Sequence, residues 1–419
     1  MKAVCMEQPG KIEVSNITQR KIKPGEALLK IRSAGICGSD IGAYRGTNGL
    51  VSYPRIIGHE LAGEIMSIPA DNKRGLKIGD KVVVDPYLYC GKCYPCSLGR
   101  TNCCQKLKVL GVHIDGGIAE TLAHPADMLI KIPDDMPWEY APLAEPLTIA
   151  LHGLHRLGVK AGEHIAISGA GPIGLLAAMA AIYYGAEPIL IDLLEERLEV
   201  ARQFGVKQTV NLTRQDLQVA ILEYTNGQLA QCAMEVSGSE SAIRSTLDIV
   251  SNAGRIVLTG WPKQETPIPT DVITKKELDI RGARTSAREF EEAVDIIYQM
   301  DMLTAPYVFD PGQARLMTEA GADILVAHMG LTTKGTIGAK TALTLEDCIE
   351  KIQAICQEVK AVNPEAFVIC HGGPIAEPED AAYVISRVKE IDGFFGASSI
   401  ERLAAEEGIT KQARRFKGI

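Results

Sequence analysis

The run Gly169-Ala170-Gly171-Pro172-Ile173-Gly174 restricts the possible folds of this chain more than any other stretch, because of what flanks it. Before it stands a short apolar segment, HIAIS, which reads as a buried strand. After it stands an Ala-rich segment, LLAAMAAIYYG, which reads as a helix. GxGxxG between a strand and a helix predicts a dinucleotide-binding unit. The first glycine permits the tight turn, the second lets a pyrophosphate approach the backbone, and the third lets helix and strand pack closely. The helix N-terminus then meets the phosphate charge. Asp192 ends the next apolar segment, ILID, where a carboxylate would hydrogen-bond ribose hydroxyls and repel a 2′-phosphate, so NAD is favoured over NADP. Arg197 follows closely and works against that preference. Thr259 and Gly260, at the end of RIVLTG, are expected beside the nicotinamide, since ligands gather at the carboxyl ends of parallel strands.

The texture of the rest gives three expected segments. Residues 1–150 read as short strands punctuated by Gly and Pro, including Ala27–Ile31, Glu64–Ile68 and Lys81–Val84. Residues 151–298 alternate strands and helices, which implies a parallel sheet covered on both faces. Ser286 followed by Glu289 predicts a capping box opening the helix EFEEAVDIIYQM. Residues 299–419 hold four further apolar strands, TAPYVF, ADILVAHMG, AFVICHGG and DGFFGASS, each followed by a helical stretch. Lys+Arg 44 against Asp+Glu 52 leaves a net charge of −8, which argues against nucleic acid as a partner. No apolar run reaches the ~18 residues of a membrane span, and MKAVCMEQPGKIEV lacks the pattern of a secretion signal, so a cytoplasmic location is expected. The cysteines are then thiols or metal ligands.

Cys90-Gly-Lys-Cys93-Tyr-Pro-Cys96, with Cys104 nearby, has the spacing of a closed, all-thiolate structural zinc site. Cys103 is read as a bystander. Three other places carry ligand-type residues: Cys37 in GICGSD, His59 and Glu60 in GHE, and Glu145 in LAEPL. Taken singly each has an ordinary structural explanation, and spacing alone does not bring them together.

These motifs occur in one order, and with it residues 1–298 resemble the zinc-dependent medium-chain alcohol dehydrogenases, above all the branch acting on polyols and sugar acids. The resemblance implies an α/β fold, with a GroES-like β-rich catalytic domain followed by a Rossmann doubly wound parallel sheet. It implies a catalytic zinc held by Cys37 and His59, with Glu60 or Glu145 as the third protein ligand, and a structural zinc on Cys90, Cys93, Cys96 and Cys104. It further implies a proton relay through Ser39 and hydride transfer from a secondary hydroxyl to NAD. The relay histidine of some members has no counterpart here, Gly42 standing near its place. L-gulonate and L-galactonate 5-dehydrogenases are the nearest in texture, and a homo-oligomer is implied. Tyr44, Arg45, His113 and Arg284 are available as polar groups for such a substrate, with Arg45 and then Arg284 as carboxylate partners or as solvated surface charges.

From about residue 299 the chain resembles instead the C-terminal half of a phosphoenolpyruvate hydrolase-like TIM-barrel family, in YVFDP, ADILVAHMGLTTKGTIGAKTA, CHGGPIAEPEDA and FFGASSIERL. The implied tail is a four-unit half (β/α) barrel, roughly half of what closure needs. Gly372-Gly373 and Gly396-Ala397-Ser398-Ser399 follow strands as phosphate loops do, or are simple turns, and His328 and His371 are expected at a barrel mouth. The resemblance also implies that the strand and helix with which dehydrogenases return to their first domain are missing. Three functions are therefore open: a polyol or sugar-acid dehydrogenase, an inactive zinc- and NAD-binding remnant, or a tail acting on a phosphorylated or carboxylated small molecule.

Overall fold

The computed structural model describes residues 1–300, 306–319, 322, 324–330 and 343–396. It divides into two compact units, Met1–Met300 and Asp301–Ile419.

The first part of the larger unit is a β-rich body. Its five-stranded antiparallel sheet runs in the order Leu129–Lys131, Lys81–Val84, Leu61–Ser67, Glu26–Ala34 and Thr121–Pro125. Alternation drives this packing: in Glu26–Ala34, Ala27 and Leu29 are buried while Lys30 and Arg32 face water. Leu29, Ile65, Val82, Val84 and Leu129 form the core beneath. A smaller sheet of Lys11–Asn16, Lys2–Gln8 and Arg55–Ile56 packs around Met6 and Ile57. Strands in this body run longer than the sequence suggests, Leu61–Ser67 beginning just after the GHE motif.

The helix Ala144–Leu157 leads into a six-stranded parallel sheet. Its order is Gln208–Asn211, Glu187–Asp192, His164–Ser168, Ala230–Glu235, Val250–Leu258 and Asp279–Gly282. In chain order this is 3-2-1-4-5-6, the doubly wound arrangement whose switch point lies beside the first strand. Ile165, Ala166 and Ile167 are wholly buried, as the continuous apolar run of a twice-covered strand requires.

The expected capping box at Ser286 does not form. Ser286 Oγ is buried without a hydrogen-bond partner, and the helix begins only at Phe290. Glu289, just ahead of it, instead accepts from the Ala287 and Arg288 N–H groups and pairs with His152 at 2.8 Å. A buried imidazole claims the carboxylate that a cap would have used.

In the second unit Tyr307–Val308, Ile324–His328, Phe367–His371 and Gly393–Phe394 form a parallel sheet in chain order. Helices Pro311–Glu319, Leu345–Val362 and Pro378–Ile385 connect them around a core including Leu325, Ile352, Ile355 and Val368. Three of the four expected strand–helix units are thus seen in full. The helical stretch expected after the fourth strand and the segment Ala397-Ser398-Ser399 lie outside the described residues.

Candidate metal centres and nucleotide site

The thiols of Cys90, Cys93, Cys96 and Cys104 lie within 4.8 Å of one another. Cys93 Sγ stands 3.4 Å from Cys96 Sγ and 3.8 Å from Cys104 Sγ. Local chain geometry makes the cluster: Cys93 precedes the short helix Tyr94–Ser97, and Cys104 follows the turn Thr101–Cys103. The Cys90 and Lys106 N–H groups both donate to Cys104 Sγ at 3.3 Å. Backbone N–H groups at Lys92 and Cys93 bring the Cys90 thiol down to about 6, while desolvation and the Cys93 thiol push Cys96 up to about 12. Four thiols with N–H support suit a tetrahedral zinc site with no open position. Cys103 does not belong to the converging set.

The second cluster is assembled from distant segments. Cys37 caps the helix Gly38–Tyr44, and His59 and Glu60 enter the strand Leu61–Ser67. Their ligand atoms, too, lie within 4.8 Å of one another. Glu145 begins the helix Ala144–Leu157 and is buried nearby, but it is not part of that mutually close set. Two glycines clear the space. A Cβ on Gly58, at φ +101°, would stand 2.3 Å from the Ile118 side chain, and one on Gly35 would stand 2.0 Å from Glu60 Oε2.

Burial and mutual charge shape the cluster. Burial pushes Glu60 up to about 7, helped by the Glu145 carboxylate. Burial also raises Glu145 and Asp40. His59 goes the other way from what burial dictates: the Cys37 contact and the Glu145 and Asp40 charges raise it to about 10. His59 Nδ1, Glu145 Oε2 and Ser39 Oγ are buried without hydrogen-bond partners among the described residues. A thiol, an imidazole and carboxylates gathered out of water, with orphaned polar atoms among them, form a donor set that fits a divalent metal.

Two residues at this site escaped the sequence reading. Asp40 accepts from the Cys37 N–H at 3.0 Å and stands 4.0 Å from His59 Nδ1. Its signal was present, since Cys37 and Asp40 have capping-box spacing. Tyr87, whose hydroxyl donates to Glu145 Oε1, had no local signal. Also unforeseen is a buried chain in which Asn102 donates to His152 Nε2 and to the Arg284 carbonyl, while His152 Nδ1 donates to Glu289.

At the glycine loop each residue has a distinct spatial reason. Gly169 adopts φ +109°. A Cβ on Gly174 would fall 1.7 Å from the Gly169 carbonyl oxygen. A Cβ on Gly171 would enter open space at the N-terminus of the helix Pro172–Tyr183, where Pro172 and Ile173 form the first turn. Asp192 ends its strand as expected. Burial would raise it, but N–H groups of Leu194, Ala170 and Leu193 hold it below its usual range, with Arg197 3.5 Å away. The open cradle and the aimed carboxylate fit a dinucleotide. The Thr259 and Gly260 N–H groups bond the Glu235 carbonyl, and Gly260 leaves room that a side chain would take from Gly238 and Glu235. With Trp261, Arg100, Cys103 and Arg284 they line a cavity of about 350 Å³. Arg284 stacks over Trp261 at 5.9 Å. Tyr44 and Arg45 are exposed at the end of the Cys37 helix, and burial with nearby Arg284 lowers His113.

In the second unit His328 and His371 end adjacent strands in register, their ring centroids 5.0 Å apart. Gly372 and Gly373, at φ +74° and +60°, follow at once. Among the described residues no helix is long and apolar enough to cross a membrane.

Comparison with known proteins agrees with this geometry. The alcohol dehydrogenase GroES-like domain model matches residues 23–134, the zinc-binding dehydrogenase model 172–299, and the phosphoenolpyruvate hydrolase-like model 271–419. A zinc-type alcohol dehydrogenase-like protein of Haemophilus influenzae is 55% identical over 297 residues, covering 71% of this chain and 87% of that protein. The L-galactonate-5-dehydrogenase of Escherichia coli is 37% identical, over 65% of this chain and 80% of that one. A crystal structure of a short chain alcohol dehydrogenase from E. coli CFT073, complexed with NADH, superimposes with a TM-score of 0.68 at 33% identity, over 74% of this chain and 92% of that chain.

Proposed function

This chain belongs to the zinc-type alcohol dehydrogenase family, and from that premise we propose that it is an NAD-linked dehydrogenase oxidising a secondary hydroxyl of a polyol or sugar acid. The convergence of Cys37, His59 and Glu60 in one partly buried cluster carries the reading. Zinc held there would serve as the Lewis acid that makes a hydroxyl acidic. NAD held on the glycine loop would be the hydride acceptor.

The chain's own residues would do the following. Cys37 and Glu60 would supply anionic donors and His59 an imidazole nitrogen, with the Asp40 carboxylate 4.0 Å from His59 Nδ1. Ser39, whose Oγ is buried and unpartnered among the described residues, would take the proton of the substrate hydroxyl. Gly171 admits the pyrophosphate to the N-terminus of Pro172–Tyr183, and Asp192 receives the ribose hydroxyls, which supports NAD over NADP. Burial of His59, Asp40 and Glu145 would strengthen the electrostatic interactions among them. The four-thiol lobe would hold a second, structural zinc. A sugar-acid substrate is supported by the similarity to L-galactonate-5-dehydrogenase.

The test pairs metal analysis with a substrate panel. Two zinc equivalents per chain are expected, with growth of the reduced-nicotinamide band on some polyol or aldonate. Two bound metals, tight NAD binding and no turnover across the panel would overturn the catalytic reading and leave a binding remnant.

A further inference from the structure

We infer that the second unit closes against the second unit of another copy of this chain, two four-stranded sheets joining edge to edge into one eight-stranded barrel. The inference is independent of the dehydrogenase reading. It concerns a surface that the metal and nucleotide sites do not use.

Strand order carries the first step. Tyr307–Val308, Ile324–His328, Phe367–His371 and Gly393–Phe394 are parallel and paired in chain order. Right-handed crossovers that always advance in one direction put every connecting helix on the same face. The nucleotide sheet, whose order reverses at its first strand, has helices on both. Side-chain alternation in the second unit follows from this. Val308, Leu325, Ala327, Val368 and Cys370 point to the helices and share one core with Ile352, Ile355 and Val384. Tyr307, Val326, Ile369 and Gly393, matched across the four strands, belong to the opposite face. A parallel sheet needs cover there too. Among the described residues each outer strand also has a neighbour on one side only.

That opposite face is apolar and partly open. Tyr307, Phe309, Phe367 and Phe395 are 47%, 52%, 55% and 39% exposed, with Ile324 and Ile369 half-buried between them. In a flat sheet the outer strands would stand roughly 14 Å apart. Yet the Tyr307 and Phe395 rings lie 6.2 Å apart, and Tyr307 stacks on His371 at 5.4 Å. Side chains from the full width of the sheet thus converge over one face, as they do inside a barrel. Eight strands make a barrel whose interior side chains just fill. A two-fold axis supplies the other four: the Gly393–Phe394 edge of each copy meets the Tyr307–Val308 edge of the other, in parallel, at two identical seams. An aromatic side chain buries roughly 150–250 Å², so four at about half exposure offer roughly 600–1,000 Å² per pair of copies. The seams and flanking helices bring this past the ~1,000 Å² of a specific interface. A second copy satisfies both edges at once, and His328 and His371 of the two copies would share one mouth.

The experiment uses the full chain with the photoreactive residue p-benzoylphenylalanine in place of Tyr307. After irradiation, covalent dimers are separated by size under denaturing conditions and their joined peptides sequenced. The expected link runs from position 307 of one copy to residues 393–395 of another. In parallel, Tyr307→Lys and Phe367→Lys place a charge where a single copy is about half open to water but the barrel is closed. Each should halve the mass of the assembly measured by light scattering, whatever other interface the chain uses, while Phe367→Leu should keep the parent mass. Parent mass retained by both lysine variants would overturn the inference. So would the absence of a covalent dimer, or a link that joins 307 to 307, to residues 1–300 or to a different protein. If a lysine variant unfolds, the link from position 307, made without adding a charge, still decides.

Discussion

The thiol lobe and the Cys37–His59–Glu60 cluster call on similar ligands but are assembled in opposite ways. In the lobe the four sulfurs come from one short stretch, Cys90 to Cys104, and three of their carriers are only partly buried. Little apolar core holds that stretch together, since the helix Tyr94–Ser97 has no buried residue. In the cluster, Cys37, His59, Glu60 and Glu145 arrive on a helix cap, a strand entrance and a helix start, each anchored in a sheet or core of its own. The lesson is about which depends on which. The lobe is therefore expected to depend on a metal for its folding, and the cluster, whose carriers are anchored in sheets and helices, to depend on one far less.

Four predictions would break or sharpen that contrast. The largest effect belongs to the lobe. Cys93→Ser should remove one metal equivalent and, since such sites contribute on the order of 10 kcal/mol, expose residues 90–104 to limited proteolysis. The cluster should keep its metal. Loss of both equivalents together would show that the two centres are not independent.

At the cluster the expected damage is catalytic. His59→Ala should lower kcat/KM by roughly 10³-fold or more, several kcal/mol of barrier, with little change in thermal midpoint. A collapse of the fold comparable to that of Cys93→Ser would erase the distinction drawn above.

Next comes the buried chain beside the lobe, which ties it to the helix bearing Glu145. Glu289→Gln should cost about 2–3 kcal/mol by replacing the charged acceptor of His152 and of the Ala287 and Arg288 N–H groups with a neutral amide. Burial opposes ionisation of Glu289, but His152 and His155 hold its carboxyl well below the usual range, with Glu292 beyond His155. A carboxylate with a depressed folded pKa contributes stability above the unfolded value of about 4.3, and this is lost as pH falls below it. Thermal midpoints of the parent chain should therefore fall steeply below about pH 4.5. Those of the variant should fall less.

The smallest effect is expected at the nucleotide. Asp192→Ala should weaken NAD binding by about 2 kcal/mol and narrow the margin over NADP, readable as a ratio of KM values. An unchanged ratio would mean that the carboxylate serves only the Ala170, Leu193 and Leu194 N–H groups it already accepts from.

Much of this was legible before any coordinates. The glycine run, the thiol spacing and the strand–helix alternation each depend on residues close together in the chain, where backbone geometry leaves few choices. Gly174 is the clearest case: any side chain there would meet the Gly169 carbonyl, so the residue type itself records the fold. The Ser286–Glu289 spacing misled because a capping box is a local expectation, and a partner remote in sequence, His152, outcompeted it. Tyr87 had no signal at all, since a tyrosine in a short strand does not announce which carboxylate it will meet.

The sequence alone determined the kinds of donor present, the thiol lobe, the nucleotide turn and the existence of a second βα segment after the dehydrogenase part. Only the tertiary structure decided that Cys37, His59 and Glu60 meet while Glu145, just outside that set, accepts from Tyr87. The physical reason is range: turns, caps and close glycine packing are governed by neighbours a few bonds away. The choice between two carboxylates depends instead on where separate sheets and helices come to rest once their apolar faces are buried.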